Sequence, residues 1–238
     1  MLELNKIYQG DCIELMKQID DNSINAIITD PPYGIDYLSS WTNNHKKLEN
    51  DSNIRIDELY SKILPEFKRI LKDDGVICCC CGGGGKRPVV SYATLELIKY
   101  FELIQTVIWS KGKTDGSFVG LGWKYRPSYE TIIVGAKSKD KYAFYPQYAS
   151  NVFVCRPEIP REWDHPTKKP LKLMEFFISN HTKEGDLILD PFCGGGSTLV
   201  AAKHLWRDYI GIELESKYID IANKRLDGMK GQIKIFDD

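Results

Sequence analysis

LILDPFCGGGST, from Leu187 to Thr198, passes from three aliphatic residues through a glycine-rich turn into the start of an amphipathic pattern. A turn of this kind between strand and helix lets main chain approach a ligand closely, and it aims helix N–H groups at that ligand. About twenty residues further on, the next apolar run, YIGIE, ends in Glu213. A carboxylate there can accept both hydroxyls of a ribose. Strand, glycine turn, helix, strand and acid make up a nucleoside-binding half-fold, one that many cofactors use. A tight turn followed by an exposed glutamate is the plainer alternative.

Working outward, short apolar runs alternate with helical periodicity along the whole chain. That alternation points to an α/β fold with a largely parallel sheet. The pattern predicts strands over 26–29, 76–80, 106–109, 131–134, 187–189 and 209–212. It predicts helices over 13–18, 56–71, 89–101, 171–182, 197–206 and 216–226. Helix 56–71 carries Leu59, Ile63, Phe67 and Ile70 on one stripe, with Pro65 expected to kink or divide it. Ser197 and Ser216 are the expected N-caps of the last two helices, and Asp51 or Ser52 that of helix 56–71. Stretches 34–53 and 112–166 look irregular. The second is taken as an insert on the core, so the 238 residues form one domain.

Apolar residues make up 42% of the chain, enough for a sizeable core, and no apolar run reaches membrane-spanning length. The opening MLELNKIYQGD has none of the features of a secretory signal, so a cytoplasmic protein of a bacterial or mobile-element host is expected. Seven cysteines, four of them consecutive in VICCCC, suit a buried strand better than a disulfide framework. Cys78 and Cys81 form a C-x-x-C, but no second pair follows at zinc spacing, and no metal is expected. Gly82 to Arg87 hints at a phosphate loop. Arg87 stands where Ser or Thr should follow the lysine, and Cys80 where the first glycine belongs.

The net charge is −1, yet the segment 111–172 holds twelve Lys and Arg against six Asp and Glu. Local basic surface is what a phosphate backbone requires, whatever the total charge. A solvated loop face shows the same excess.

Asp30-Pro31-Pro32-Tyr33 follows the apolar run AIIT. It occupies the carboxyl end of a strand, where open α/β sheets place ligands. The prolines hold the Pro31 carbonyl in one direction, and Tyr33 supplies a flat face beside two oxygen acceptors. This trio suits one chemical problem. The exocyclic nitrogen of adenine is a weak nucleophile, because its lone pair is delocalised into the ring. Two acceptors at its N–H bonds draw it toward a tetrahedral shape and stabilise the positive charge that develops on methyl transfer. Such an atom is out of reach inside a duplex, so the base must be extruded.

Together these motifs resemble the DNA amino-methyltransferases with a permuted (β-class) motif order, catalytic DPPY first and cofactor loop near the C-terminus. The resemblance runs through YQGDCIELM, ITDPPYGIDY, RILKDDGVI, VIWSKG, YETIIVGAK, HPTKKPLKLMEFFI, LILDPFCGGGST and IGIELESKYIDIANKRL. It implies a Rossmann-like methyltransferase fold, with helices on both faces of a twisted sheet. S-adenosylmethionine is the implied cofactor and double-stranded DNA the implied partner. A homodimer and a companion restriction endonuclease are left open, and no membrane is involved.

The same resemblance implies roles by position. Asp30, Pro31, Pro32 and Tyr33 would be catalytic. Asp11 would bind the cofactor's adenine amino group, with Cys12 beside it; capping the helix from Ile13 onward is the alternative. Lys169 and Pro170 would lie along the methionine part, with Asp30 nearby; surface charge is the alternative for Lys169. Asp190, Phe192, Gly194 and Ser197 would wrap that same region, and Glu213, with Leu214, would hold the ribose. Many relatives have Gly-Ser-Gly-Thr where this chain has Gly194-Gly195-Gly196-Ser197. An aspartate heading the tetrapeptide goes with adenine N6, and a serine more often with cytosine N4. Target reading then falls to 112–166, with Lys113, Lys124, Arg126, Lys139 and Lys141 as phosphate contacts.

Overall fold

The computed structural model describes residues 1–32, 56–82, 89–112, 127–158 and 168–229. Within these lie strands β1 Lys6–Gln9, β2 Ile24–Thr29, β3 Leu71–Cys80, β4 Glu102–Ser110, β5 Tyr129–Ala136, β6 Val152–Val154, β7 Leu187–Asp190 and β8 Asp208–Glu213. Between them run helices α1 Cys12–Met16, α2 Ile56–Ile70, α3 Val89–Leu97, α4 Leu171–His181, α5 Ser197–His204 and α6 Ser216–Asp227. The strands form one sheet in the order β1-β8-β7-β2-β3-β5-β4-β6, and every strand but β5 points the same way. This is the α/β Rossmann-like architecture expected from the alternating pattern.

Central strands buried on both faces need near-continuous apolar runs, and β2 has AIIT, β3 VICCC and β7 LIL. Alternate residues of β3 serve opposite faces. Cys79 joins the core under α1–α3 with Met16, Ile63 and Phe67, whereas Cys78 and Cys80 join the core under α4–α6 with Phe177 and Leu199. The cysteine run therefore works as compact apolar filling, and all seven cysteines are free thiols.

The edge that carries the candidate site is set by the strand order. From β7 the chain goes through α5 to β8 on one side, and from β2 through α2 to β3 on the other. β2 and β7 are neighbours, with Ala26 opposite Ile188 and Ile27 opposite Leu189. The order reverses between them, and at such a switch point helices leave on opposite faces and open a crevice beyond the carboxyl ends of the strands.

Several expectations are corrected. β1 and β6 were not foreseen; they are edge strands of four and three residues, β1 without an apolar run and β6 with only the short VFV. The stretch 112–166 is not a continuous insert, because β5 lies inside the sheet between β3 and β4. Its apolar TIIVGA is core, with Ile132, Ile133 and Val134 buried. Helix α2 continues through Pro65 as one element. Gly196 and Glu215, not Ser197 and Ser216, occupy the N-cap positions of α5 and α6. The proposed caps at Asp51 and Ser52, and the stretch 34–53, lie outside the described residues.

Candidate active site

Four strand ends and the turns after them bring the predicted cofactor residues to one edge. Asp190 is the last residue of β7 and is buried; the Phe192 N–H donates to its Oδ1 at 3.2 Å. Burial pushes the Asp190 carboxyl up to about 7, against the hydrogen bonds it accepts. Gly194 and Gly196 have φ of 47° and 75°, left-handed values that side chains resist. The Gly194 N–H donates to Glu213 Oε2 at 2.9 Å, and the Glu215 N–H donates to Glu213 Oε1 at 2.8 Å. Each Glu213 oxygen thus uses one acceptor position on main chain. A carboxylate has about four, so the donor set fits the hydroxyl pair of a nucleoside. Burial raises the Glu213 carboxyl above its ordinary value. Leu214, just beyond it, is exposed.

The loop is also held from behind. Arg225 on α6 donates to the Gly195 carbonyl and, at 3.3 Å, to the Ser197 hydroxyl. Gly196 packs so close to α6 that an added Cβ would meet the Ala222 Cβ at 2.7 Å. Gly196→Ala should therefore combine about 1–2 kcal/mol of backbone strain with a steric clash. The expected result is a fall in melting temperature of roughly 4 °C or more, with weaker S-adenosylmethionine binding by calorimetry. An unchanged melting point would show that the turn tolerates a side chain there.

Asp11 caps α1 from the end of β1: its Oδ1 accepts from the Ile13 N–H at 2.8 Å and the Glu14 N–H at 3.3 Å. The plainer reading of Asp11 is thus visible in the structure, and any ligand contact would be additional to it. Cys12, buried behind it, has its thiol pushed up to about 12 by burial and by the neighbouring Asp11 charge.

Asp30 directly follows β2, so it stands at the switch point beside Asp190, whose carboxyl feels its charge. Pro31 is buried and Pro32 half-buried, while Tyr33 lies outside the described residues. The Asp30 Oδ2 receives the Lys169 ammonium at 2.5 Å. Lys169 is buried, so ordinary surface charge does not describe it. It enters the site because Pro170 caps α4 and because Glu158 accepts the Leu171 N–H at 2.9 Å and pairs with Lys168 at 2.7 Å.

Glu130 and Lys111 were not singled out by the sequence. Glu130 Oε2 lies 3.1 Å from the Lys169 ammonium, and Oε1 lies 2.9 Å from that of Lys111. The only available signal was a charge heading the otherwise apolar TIIVGA, a place where burial demands a partner.

The candidate DNA contacts divide. Lys113, Lys124 and Arg126 lie outside the described residues, but the segment carrying them starts and ends at the site edge, where the Lys111 N–H donates to the Ser128 carbonyl at 2.9 Å. Lys139 and Lys141 are elsewhere. β5 runs against its neighbours and delivers them to the opposite edge, where the Lys137 N–H meets the Gly75 carbonyl and the Ala143 N–H meets that of Asp74. Phe144 and Tyr145 are there too, against His181 and Lys183 on and just beyond α4.

Comparison with known proteins agrees with this geometry. A family model described as DNA methylase, of the N6/N4 methyltransferase type, matches residues 24–224. The Type II methyltransferase M.HinfI of Haemophilus influenzae is 32% identical, over 95% of this chain and 69% of its own. The crystal structure of an M1.HpyAVI–SAM complex superposes with a TM-score of 0.68 at 28% identity, covering 93% of this chain and 98% of that one. PvuII DNA methyltransferase, which is cytosine-N4-specific, gives a TM-score of 0.73 at 20% identity over 98% of this chain and 89% of its own, a likeness of fold. With most of its length matched, from β2 to α6, this chain belongs to the N6/N4 family of DNA methylases.

Proposed function

We propose that this protein transfers a methyl group from S-adenosylmethionine to the N6 nitrogen of an adenine flipped out of duplex DNA, as a permuted, β-class enzyme. The observation that carries the reading is the position of Asp30. An oxygen acceptor stands at the switch-point crevice, one strand away from Asp190 and its glycine turn. When bound, the cofactor supplies an electrophilic methyl on a sulfonium.

The remaining work belongs to the chain. Glu213 takes the ribose hydroxyls, and Asp190, Phe192, Gly194, Ser197 and Pro170 surround the methionine part, with Asp11 and Cys12 at the adenine end. Asp30 and the Pro31 carbonyl accept from the substrate's amino group and favour the charge that builds there, and Tyr33 stacks on the extruded base. Lys113, Lys124 and Arg126 contact phosphates, since the flanking Lys111 and Ser128 meet at the site edge; Lys139 and Lys141 lie at the far edge, away from the extruded base.

An aspartate at the head of the tetrapeptide favours adenine over cytosine. The test is to methylate duplex DNA with labelled S-adenosylmethionine, digest the product to nucleosides and separate them. Label in N6-methyl-2′-deoxyadenosine is expected. Label in N4-methyl-2′-deoxycytidine would reassign the base and keep the rest, and no incorporation into DNA of varied sequence would sink the reading.

A further inference from the structure

The ion pairs that begin at Asp30 do not stop at Lys169. They continue to Glu130 and end on Lys111, so four charges of alternating sign run across the ends of β2, β5 and β4. Lys169, Glu130 and Lys111 are side chains no more than 16% exposed, where unpaired charge is costly. Asp30 is the residue of the four that faces the crevice most openly, at 25% exposure.

Lysine is a poor clamp by itself. Its ammonium sits on a four-carbon stem with several rotatable bonds, and a single carboxylate leaves it free to swing. Glu130 supplies a second anchor from a different strand. It is itself held by Lys111 and by its place in the sheet, opposite Trp109 of β4. The reversed direction of β5 matters here: it places the first turn of that strand, not its end, at the edge of the candidate site.

We propose that Glu130 is a positioning residue of the methyl-transfer site, fixing the Lys169 ammonium so that the Asp30 carboxylate is presented to the substrate in one orientation. The inference rests on the reading of Asp30 as the acceptor for the amino group.

The groups facing Lys169 are Asp30 at the end of β2, Cys80 on β3 and Glu130 on β5, with Lys111 beyond Glu130. Burial opposes the Lys169 charge, but Asp30 and Glu130 hold its ammonium well above the usual lysine value. Burial likewise opposes the Glu130 charge, yet Lys169 and Lys111 keep its carboxyl below the usual range. The Cys80 thiol is pushed far up by burial and carries no charge at working pH. Removing the Glu130 charge thus takes away one of the two anions that keep Lys169 protonated.

The test is Glu130→Gln in the full chain, assayed by single-turnover methyl transfer to duplex DNA between pH 6 and 10. Cofactor affinity is measured by calorimetry and folding by thermal melt. Transfer should fall about ten-fold or more, while cofactor affinity stays within about three-fold. In the unaltered protein Lys169 keeps its proton throughout this range, so its rate should hold to pH 10, whereas in the variant a high-pH limb should enter the range because Lys169 loses its proton earlier. Glu130→Asp, which restores the charge, should recover part of both.

A rate and a high-pH limb matching the unaltered protein overturn the proposal. So does a rate loss wholly explained by weaker cofactor binding. If Glu130→Gln does not fold, Lys111→Gln loosens Glu130 from its other side while leaving the Lys169–Asp30 pair in place. It should lower the transfer rate without moving the high-pH limb to lower pH, because both anions beside Lys169 remain, and an unaltered rate counts against the proposal. Asp30→Ala, run in parallel, separates the two ideas. Near-normal transfer by that variant removes the reading of Asp30, whereas an inactive Asp30→Ala beside an unaltered Glu130→Gln removes only the positioning role.

Discussion

Alanine at position 30 is expected to reduce methyl transfer by at least about 10²–10³-fold, the scale seen when a preorganised charge-stabilising group is deleted, with cofactor binding left within a few-fold. The separation follows from where the parts are mounted. Asp30 follows β2, whereas most of the residues proposed to hold the cofactor belong to β7, β8 and the turns after them. Their internal bonds, Phe192 to Asp190 and Gly194 to Glu213, do not involve Asp30. Lys169 keeps Glu130 as a partner in the variant, so no buried ammonium is stranded without a counter-charge. Single-turnover transfer of labelled methyl, read beside a calorimetric titration of cofactor, checks both halves. Transfer at near the original rate would take Asp30 out of the chemistry.

Asp190 carries the second large effect, on stability rather than rate. Its carboxyl is raised from 3.8 to about 7, chiefly by burial. In the window between those values the folded protein holds this proton and the unfolded chain has lost it. The Asp190 contribution to stability is therefore fully present below about pH 4 and lost as pH rises through about 7. Asp190→Asn does not titrate there. The stability of the unaltered protein relative to Asp190→Asn should thus fall by about 1.4 kcal/mol per pH unit across that window and level off above it. Urea unfolding of both proteins at half-unit intervals from pH 4.5 to 8.5 measures this difference directly. Parallel curves would mean that the carboxyl is solvated and titrates normally.

Both residues were named from sequence, but their surroundings were not. The glycine turn was legible because its chemistry is local: an apolar run, then residues that tolerate left-handed backbone, then helical periodicity. Gly194 and Gly196 adopt those left-handed angles. Its caps were misassigned by one residue, because Gly196 itself takes the N-cap position and Arg225 draws the Ser197 hydroxyl instead. β6 was illegible because its apolar run, VFV, is only three residues long, and β1 for a different reason. An edge strand exposes one side to water and needs no continuous apolar run, and Lys6–Gln9 has none of its four residues buried.

The stretch 112–166 shows the same limit at larger scale. Its Tyr, Trp, Lys and Arg content reads as a surface for nucleic acid, yet composition is silent on strand direction. Once β5 runs antiparallel between β3 and β4, Glu130 falls at the edge of the candidate site, with Asp30, and Lys139 at the far one.

What the amino-acid order alone determined is therefore whatever depends on neighbours along the chain: the alternation of strand and helix, the glycine turn, and the proline-fixed acid after AIIT. What tertiary structure decided is whatever depends on charge meeting charge across the fold. Asp30 and Lys169 stand 139 residues apart, and Glu130 and Lys169 come from different elements. A buried charge requires a partner, but only the packing of β2, β5 and α4 against one another says which.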